Sequence, residues 1–343
     1  MTELLAAFEG GKRTALARAI SIVENRREGY LDLLSALHSR QGRAHRIGIT
    51  GPPGAGKSTL SSSLIQHFRA HDETVGVIAV DPTSPFTGGA LLGDRIRMND
   101  VSMDENVFVR SMATRGSLGG IAITTKEIAD VMDAFGFDRV IIETVGVGQS
   151  ELDVAAAADT TLVVLVPESG DSIQAMKAGL MEIADIFDIN KSDRPGADRV
   201  AREIDMMLHL RLGNAMKNVP AHHGVIKRKS GLKGDQATGR SSDGAAWSIP
   251  VLQTVAETGK GVPELAAALD KHRAWMEQSG EIHKRRRSRL AERVKEAVER
   301  RLHDVAWREK GGQNVLDSAL DDLEGGKLTP YAVADRIVSA VIG

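Results

Sequence analysis

Gly51-Pro52-Pro53-Gly54-Ala55-Gly56-Lys57-Ser58 satisfies the pattern G-x-x-x-x-G-K-[ST] at every fixed position. An apolar run containing Ile47 and Ile49 precedes it, and a helix-like stretch follows. Strand, glycine-rich loop and helix in that order make a phosphate cradle. The glycines let successive backbone N–H groups converge on an anion, and the helix that follows presents the positive end of its dipole. Gly51, Pro53, Gly54, Ala55, Gly56, Lys57, Ser58 and Thr59 are therefore the expected nucleotide contacts. In such a loop the lysine, Lys57, reaches the β- and γ-phosphates, and the hydroxyl of Ser58 ligates Mg²⁺.

Working outward from the loop, the texture is that of an α/β chain. Short β-branched runs at 46–50, 75–80, 107–110, 139–143, 161–166, 183–189 and 249–254 read as strands. Their continuous apolar character suits a mainly parallel sheet covered on both faces. Helical patterns fall between them at 58–70, 118–135, 172–181, 198–212 and 262–278. The expected fold is thus a P-loop NTPase with a mainly parallel central sheet flanked by helices. Residues 1–44 read as an N-terminal helical region, with Leu31, Leu33, Leu34 and Leu37 on a buried face. The nucleotide domain is expected over 45–279, with a polar, glycine-rich surface loop at 224–246. From 280 to 343 the chain reads as a charged helical arm, with Leu290, Val294, Val298 and Leu302 repeating at i, i+4. That stripe suits dimerisation, or docking onto the chain's own domain.

Composition narrows the function classes. Of 343 residues, 42% are hydrophobic and 26% charged, the balance of a globular protein. A net charge of −2 and 3% aromatics give no reason to expect nucleic acid or an anionic membrane as partner. With no cysteine, disulfides, thiolate catalysis and Cys-ligated metals all fall away. Glu3 and Glu9 interrupt any secretory leader, so the cytoplasm is the expected compartment.

The base is chosen elsewhere. Asn190-Lys191-Ser192-Asp193 follows the apolar run ending at Ile189. A carboxylate such as that of Asp193 accepts two parallel hydrogen bonds from the ring N–H and exocyclic amine of guanine, a donor pair that adenine lacks. Asn190 and Lys191 hold the loop and cover the base, so GTP and GDP are the expected ligands. After the next strand, Thr254-Val255-Ala256 lies where a further base-contacting loop belongs, which adds Val255 and Ala256 to the set. Asp81 and Glu143 close two candidate strands and are placed for Mg²⁺, directly or through water. Glu143-Thr144-Val145-Gly146 occupies the Asp-x-x-Gly position, where the N–H of Gly146 can sense the γ-phosphate.

Three longer segments carry a resemblance. Asp81-Pro82-Thr83-Ser84-Pro85-Phe86-Thr87-Gly88-Gly89-Ala90-Leu91-Leu92-Gly93-Asp94-Arg95 and Glu143-Thr144-Val145-Gly146-Val147-Gly148-Gln149-Ser150-Glu151 resemble signatures of the MeaB/ArgK-type methylmalonyl-CoA mutase-associated GTPases. The stretch from Glu168 to Gly179 is similar to their third switch, and the likeness runs over nearly the whole chain. The resemblance implies a homodimeric G-protein chaperone that loads, protects and reactivates an adenosylcobalamin-dependent acyl-CoA mutase. A cobalamin adenosyltransferase is a further implied partner. Carried over by position, it adds Asp94 to Ser58, Asp81 and Glu143 around Mg²⁺, with Lys57, Asp81, Asp94 and Glu143 as the catalytic set. Asp171 and Lys177 become candidates for switch coupling.

One departure bears on mechanism. Many GTPases place a water-orienting glutamine directly after the Asp-x-x-Gly glycine, but Val147 follows Gly146 and Gln149 lies three positions beyond it. No arginine finger is identifiable, although Arg95, Arg97 and Arg115 lie in candidate switches. A slow intrinsic GTPase completed by its partner is expected. Other readings stay open: a GTP-dependent metallochaperone for a nickel enzyme, a kinase of a transport protein, or a nucleotide-sensing scaffold. The first would need a metal relay, for which His222-His223 is a slender basis in a chain without cysteine.

Overall fold

The computed structural model describes residues 1–82, 103–114, 120–144, 150–170, 180–211 and 246–342. Asp94, Gly146, Gln149, Asp171, Lys177, the arginines 95, 97 and 115, and the His222-His223 pair lie outside the described residues, as does most of the 224–246 loop. Two compact units are present, Met1–Arg285 and Arg286–Gly343.

The first unit is built on a sheet of seven strands among the described residues: β1 (His45–Thr50), β2 (Val75–Pro82), β3 (Val107–Thr114), β4 (Arg139–Thr144), β5 (Thr160–Leu165), β6 (Ile186–Ile189) and β7 (Val251–Gln253). Their order is β3-β2-β4-β1-β5-β6-β7, and every pairing is parallel. All residues of β1, β4, β5 and β6 are buried, as in a parallel sheet that helices cover on both faces. The chain runs from β1 outward to β3, returns through β4, and only then continues to β5 on the other side. A crevice at the carboxyl end of β1 follows from that reversal, and ligands bind α/β sheets at such points.

Three helices open the chain: α1 (Thr2–Glu9), α2 (Arg13–Glu24) and α3 (Tyr30–Leu37). Their apolar faces (Phe8, Leu16, Ile20, Leu33, Leu37) share one core with Ile128 and Met132 of α5 (Gly120–Phe135) and with Ile78 and Ile142 of the sheet. Leu31, expected on that buried face, is 59% exposed. Leu33 and Leu37 are one turn apart and point inward, whereas Leu31 lies two positions earlier on the opposite side of the helix. On the other face of the sheet, α4 (Lys57–Arg69) and α9 (Val262–Ser279) pack Leu60, Leu64, Leu265 and Leu269 on Ile47, Ile49 and Ile141. Between α5 and α9 come α6 (Ser150–Ala157), α7 (Leu180–Ile183) and α8 (Ala197–Arg211).

Several strand boundaries differ from expectation; the expected 249–254 strand, for one, narrows to Val251–Gln253. The apolar run 183–189 is not one strand: Ile183 ends α7, and only Ile186–Ile189 pairs with β5. Asp185 makes the break. Its carboxylate accepts the Thr161 N–H at 2.9 Å and receives both terminal nitrogens of Arg285 at 2.9 and 2.8 Å. Arg285, within the arm expected to be charged and helical from 280, is thus tied to the sheet. β3 in turn continues past Arg110 to Thr114, pairing with β2 as far as Pro82. Of the helix expected at 172–181, residues 180 and 181 fall in α7 and the rest lie outside the described residues.

The helix α10 (Glu281–Asp304) carries the chain into the second unit, which continues through a π-turn (Val305–Glu309) to α11 (Gly312–Glu324) and α12 (Pro330–Ile342). Ala319, Val333 and Ile337 form its small core. Leu290, Val294, Val298 and Leu302 are exposed.

A buried polar chain crosses the amino-terminal end of the sheet. Arg139 approaches Nδ1 of His45 at 3.0 Å, Nε2 of His45 lies 2.7 Å from the Thr160 hydroxyl, and that hydroxyl lies 2.8 Å from Nδ1 of His272. The order assigns the protons: Arg139 donates to a neutral His45, His45 to Thr160, and Thr160 to a neutral His272. Burial lowers the pKa of His45 well below its ordinary range and that of His272 from 6.5 to about 4, against the opposing pull of Asp185. Below pH 6.5 the unfolded chain therefore takes up protons that the folded chain refuses. Stability is full above that value and falls as the pH drops towards 4, by about 3 kcal/mol for His272 alone. Thermal melts from neutral to acidic pH are expected to show this loss, and His272→Gln should flatten it. A melting temperature independent of pH over that window would contradict the neutral-histidine assignment.

Candidate functional site

The P-loop begins where β1 ends and closes at the first turn of α4. Gly51 has φ +136°, and a Cβ there would run into the Val164 carbonyl of β5. Gly56, with φ +86°, stands at the N-cap of α4, where a Cβ would strike the side-chain amide of Asn190. Both positions require glycine for two reasons at once: left-handed backbone and absence of room. Gly54 also has positive φ, while Pro53 and Gly54 are exposed at the loop tip and Ala55 is buried. The N–H groups of the first turn of α4, including Thr59, are those a helix start offers to an anion.

Lys57 is 5% exposed, and its ammonium donates to the carbonyls of Gly51 and Pro52 at 2.8 and 3.0 Å. It is thereby held over the loop as a compact cation. Ser58 donates its hydroxyl to Oε1 of Glu143 at 2.6 Å, and Ser61, one turn on, donates to Oε2 at 2.7 Å. Glu143 is buried on β4, directly beside Ile49 of β1. This donor set fits a hard divalent cation. With its hydrogen turned to Glu143, the Ser58 oxygen keeps its lone pairs for a metal, and a buried carboxylate stands one step behind. Asp81 comes to the same end of the sheet: it is the penultimate residue of β2, two positions beyond Ala79, which pairs with Glu143. The strand order thus places Ser58, Asp81 and Glu143 at the same end of the sheet. Ser61 was not among the residues picked from sequence, although its i, i+3 spacing from Ser58 puts it on the same helix face.

The second half of the site is tied to the first through one side chain. Asn190 donates through Nδ2 to the Ala55 carbonyl at 2.9 Å and accepts through Oδ1 the N–H of Ala256 at 3.0 Å. It therefore bridges the P-loop and the loop after β7. Lys191, with φ +57°, reaches the Gly54 carbonyl at 2.9 Å, and the Ser192 N–H donates to the Thr254 carbonyl at 3.0 Å. Asp193 is exposed at the turn. The carbonyl of Ala256 accepts a hydrogen bond from Ser63 of α4 at 2.7 Å, and Val255 pairs with Lys260 to close that loop. Three segments far apart in sequence meet at one crevice, which can hold a base at Asp193 and phosphates at 51–59. Ser63 is not legible from sequence, because a serine there also serves as a plain helix residue.

Comparison with known proteins agrees with this geometry. The family model described as "Methylmalonyl Co-A mutase-associated GTPase MeaB" matches residues 16–311. A Pyrococcus horikoshii relative is 42% identical over 341 residues, covering 99% of this chain and 98% of its own. The GTPase ArgK of Escherichia coli is 33% identical over 303 residues, 87% of this chain and 84% of that protein. A Mus musculus protein, the mitochondrial methylmalonic aciduria type A homolog, is 34% identical over 292 residues, 81% of this chain and 64% of its own length. Among solved structures, one titled as a LAO/AO transport system kinase superposes with a TM-score of 0.65 at 25% identity, covering 100% of this chain and 97% of that one. No helix among the described residues is long and apolar enough to cross a membrane. With a P-loop, a guanine-type loop and a family match over most of its length, this chain belongs to the MeaB family of GTPases.

Proposed function

We propose that the protein is a GTP-hydrolysing chaperone that assists an adenosylcobalamin-dependent acyl-CoA mutase. The observation that carries the client assignment is the family match over residues 16–311, whose description names association with methylmalonyl-CoA mutase. The name of the mouse relative points the same way.

In this reading Asp193 selects guanine, Asn190 and Lys191 brace the base loop against the P-loop, and the 51–59 backbone receives the phosphates. Lys57 leaves the Gly51 and Pro52 carbonyls for the β- and γ-phosphates, neutralising charge as the phosphoryl group transfers. Ser58, Asp81, Asp94 and Glu143 are the proposed holders of Mg²⁺, which when bound would neutralise further phosphate charge. Gly146, on the segment that follows Glu143, is proposed to report the γ-phosphate outward. The exposed stripe Leu290, Val294, Val298 and Leu302 is proposed as a homodimer contact.

The test is association. Tagged protein loaded with GDP or a non-hydrolysable GTP analogue is mixed with a purified adenosylcobalamin-dependent acyl-CoA mutase and recovered. Co-recovery that depends on the nucleotide is the expected result. Absence of the mutase in every nucleotide state, across methylmalonyl- and isobutyryl-CoA mutases, would count against the client.

A further inference from the structure

Behind the base loop lies a carboxylic acid that the nucleotide reading leaves unused. Asp188 sits on β6, two residues before Asn190, and is fully buried. Its strand neighbours are Val164 on β5 and Leu252 on β7. Alternation along the strand puts it on the same face as Ile186, which packs in the apolar core with α4 and α9. Oδ2 of Asp188 lies 2.7 Å from the Thr254 hydroxyl, and Oδ1 has no hydrogen-bond partner among the described residues. The same Thr254 hydroxyl lies 3.3 Å from Oδ1 of Asn190. A threonine hydroxyl has one hydrogen and two oxygens compete for it.

We propose that Asp188 is a positioning residue for the guanine loop: its own proton decides which way the Thr254 hydroxyl points, and hence how firmly Asn190 is held. This rests on the reading of Asn190–Asp193 as the guanine loop. When Asp188 is neutral, its O–H donates to Thr254, and Thr254 donates onward to Asn190. Asn190 Oδ1 then accepts two hydrogen bonds, from Thr254 and from the Ala256 N–H, while its amide braces Ala55. When Asp188 releases its proton to solvent, the Thr254 hydrogen turns to the carboxylate. Asn190 Oδ1 then faces a hydroxyl lone pair and keeps only Ala256. The brace between P-loop and base loop loosens, so bound nucleotide leaves faster.

The titration falls where this matters. Burial raises the Asp188 carboxyl to about 7, with the Thr254 hydrogen bond as the one opposing influence among the described residues. No charged group on α4 or α9 contributes, Lys57 and Glu264 in their first turns included, and the flanking residues on β5 and β7 are apolar.

The experiment measures dissociation of a fluorescent GDP analogue from the full chain at pH values on either side of about 7. In the wild type the rate is expected to rise roughly fivefold from the acidic to the alkaline side, the equivalent of one net hydrogen bond. Asp188→Asn should dissociate slowly at both ends. Thr254→Ser should keep the pH dependence and Thr254→Val should lose it, although Asp188 still titrates. That second pair decides the matter if Asp188→Asn does not fold. Identical pH profiles for wild type, Thr254→Ser and Thr254→Val would overturn the proposal. Asn190→Ala separates the two levels: it should weaken GDP at every pH. If it does so while the profiles coincide, the positioning role of Asp188 fails alone; if it binds GDP as the wild type does, the guanine-loop reading itself fails.

Discussion

Asp193→Asn is expected to weaken GTP binding by roughly 100- to 1,000-fold and to bring xanthosine triphosphate into the same affinity range as GTP. The carboxylate offers two acceptors to the two N–H donors of guanine, and each charge-assisted bond contributes about 1.5–3 kcal/mol. An asparagine there turns one acceptor into a donor, which opposes the guanine amine and matches the carbonyl that xanthine carries instead. Asp193 is exposed on a turn whose backbone is fixed by Lys191 and Ser192, so the substitution should leave the fold intact. Titration with both nucleotides checks it. Unchanged preference for GTP would remove Asp193 from the base site.

The second large effect belongs to Lys57. Lys57→Ala is expected to lower the GTP hydrolysis rate by roughly 1,000-fold, since one preorganised donor aimed at developing charge is worth about 3–4 kcal/mol. The ammonium is buried and held above the loop by two carbonyls, which in the proposed mechanism it exchanges for phosphate oxygens. Lys57→Arg should not rescue, because a planar guanidinium cannot take the place of a compact cation in so closed a loop. A single-turnover rate within tenfold of wild type would show that charge neutralisation comes from elsewhere.

Much of this was legible in the chain because the P-loop constrains backbone as well as side chains. Gly51 and Gly56 are required by positive φ and by the close approach of Val164 and Asn190, so the motif announces its fold. The parallel sheet showed in the short β-branched and apolar stretches within β1, β4 and β5. The misread stretch at 183–189 has a local cause: Ile183 and Ala184 are as apolar as the strand after them, and the break is set by the distant Arg285 and Thr161 on Asp185. Leu31 failed for a related reason, since a leucine-rich helix of eight residues shows more apolar positions than it buries. Tertiary contacts also hid part of the site. Ser61 looks like any polar helix residue until β4 brings Glu143 to it, and Asp188 passes as one polar residue of the 183–189 run until its burial beside Thr254 is seen.

Val147 stands where many GTPases carry glutamine, and we propose that a partner positions the attacking water. The most direct measurement is therefore the steady-state GTPase rate of the purified protein with and without a purified adenosylcobalamin-dependent acyl-CoA mutase, at saturating GTP and Mg²⁺. A slow rate alone that rises at least severalfold with the mutase, in proportion to complex formed, is the expected result. A rate that is already fast alone and unchanged by the mutase would contradict the chaperone assignment.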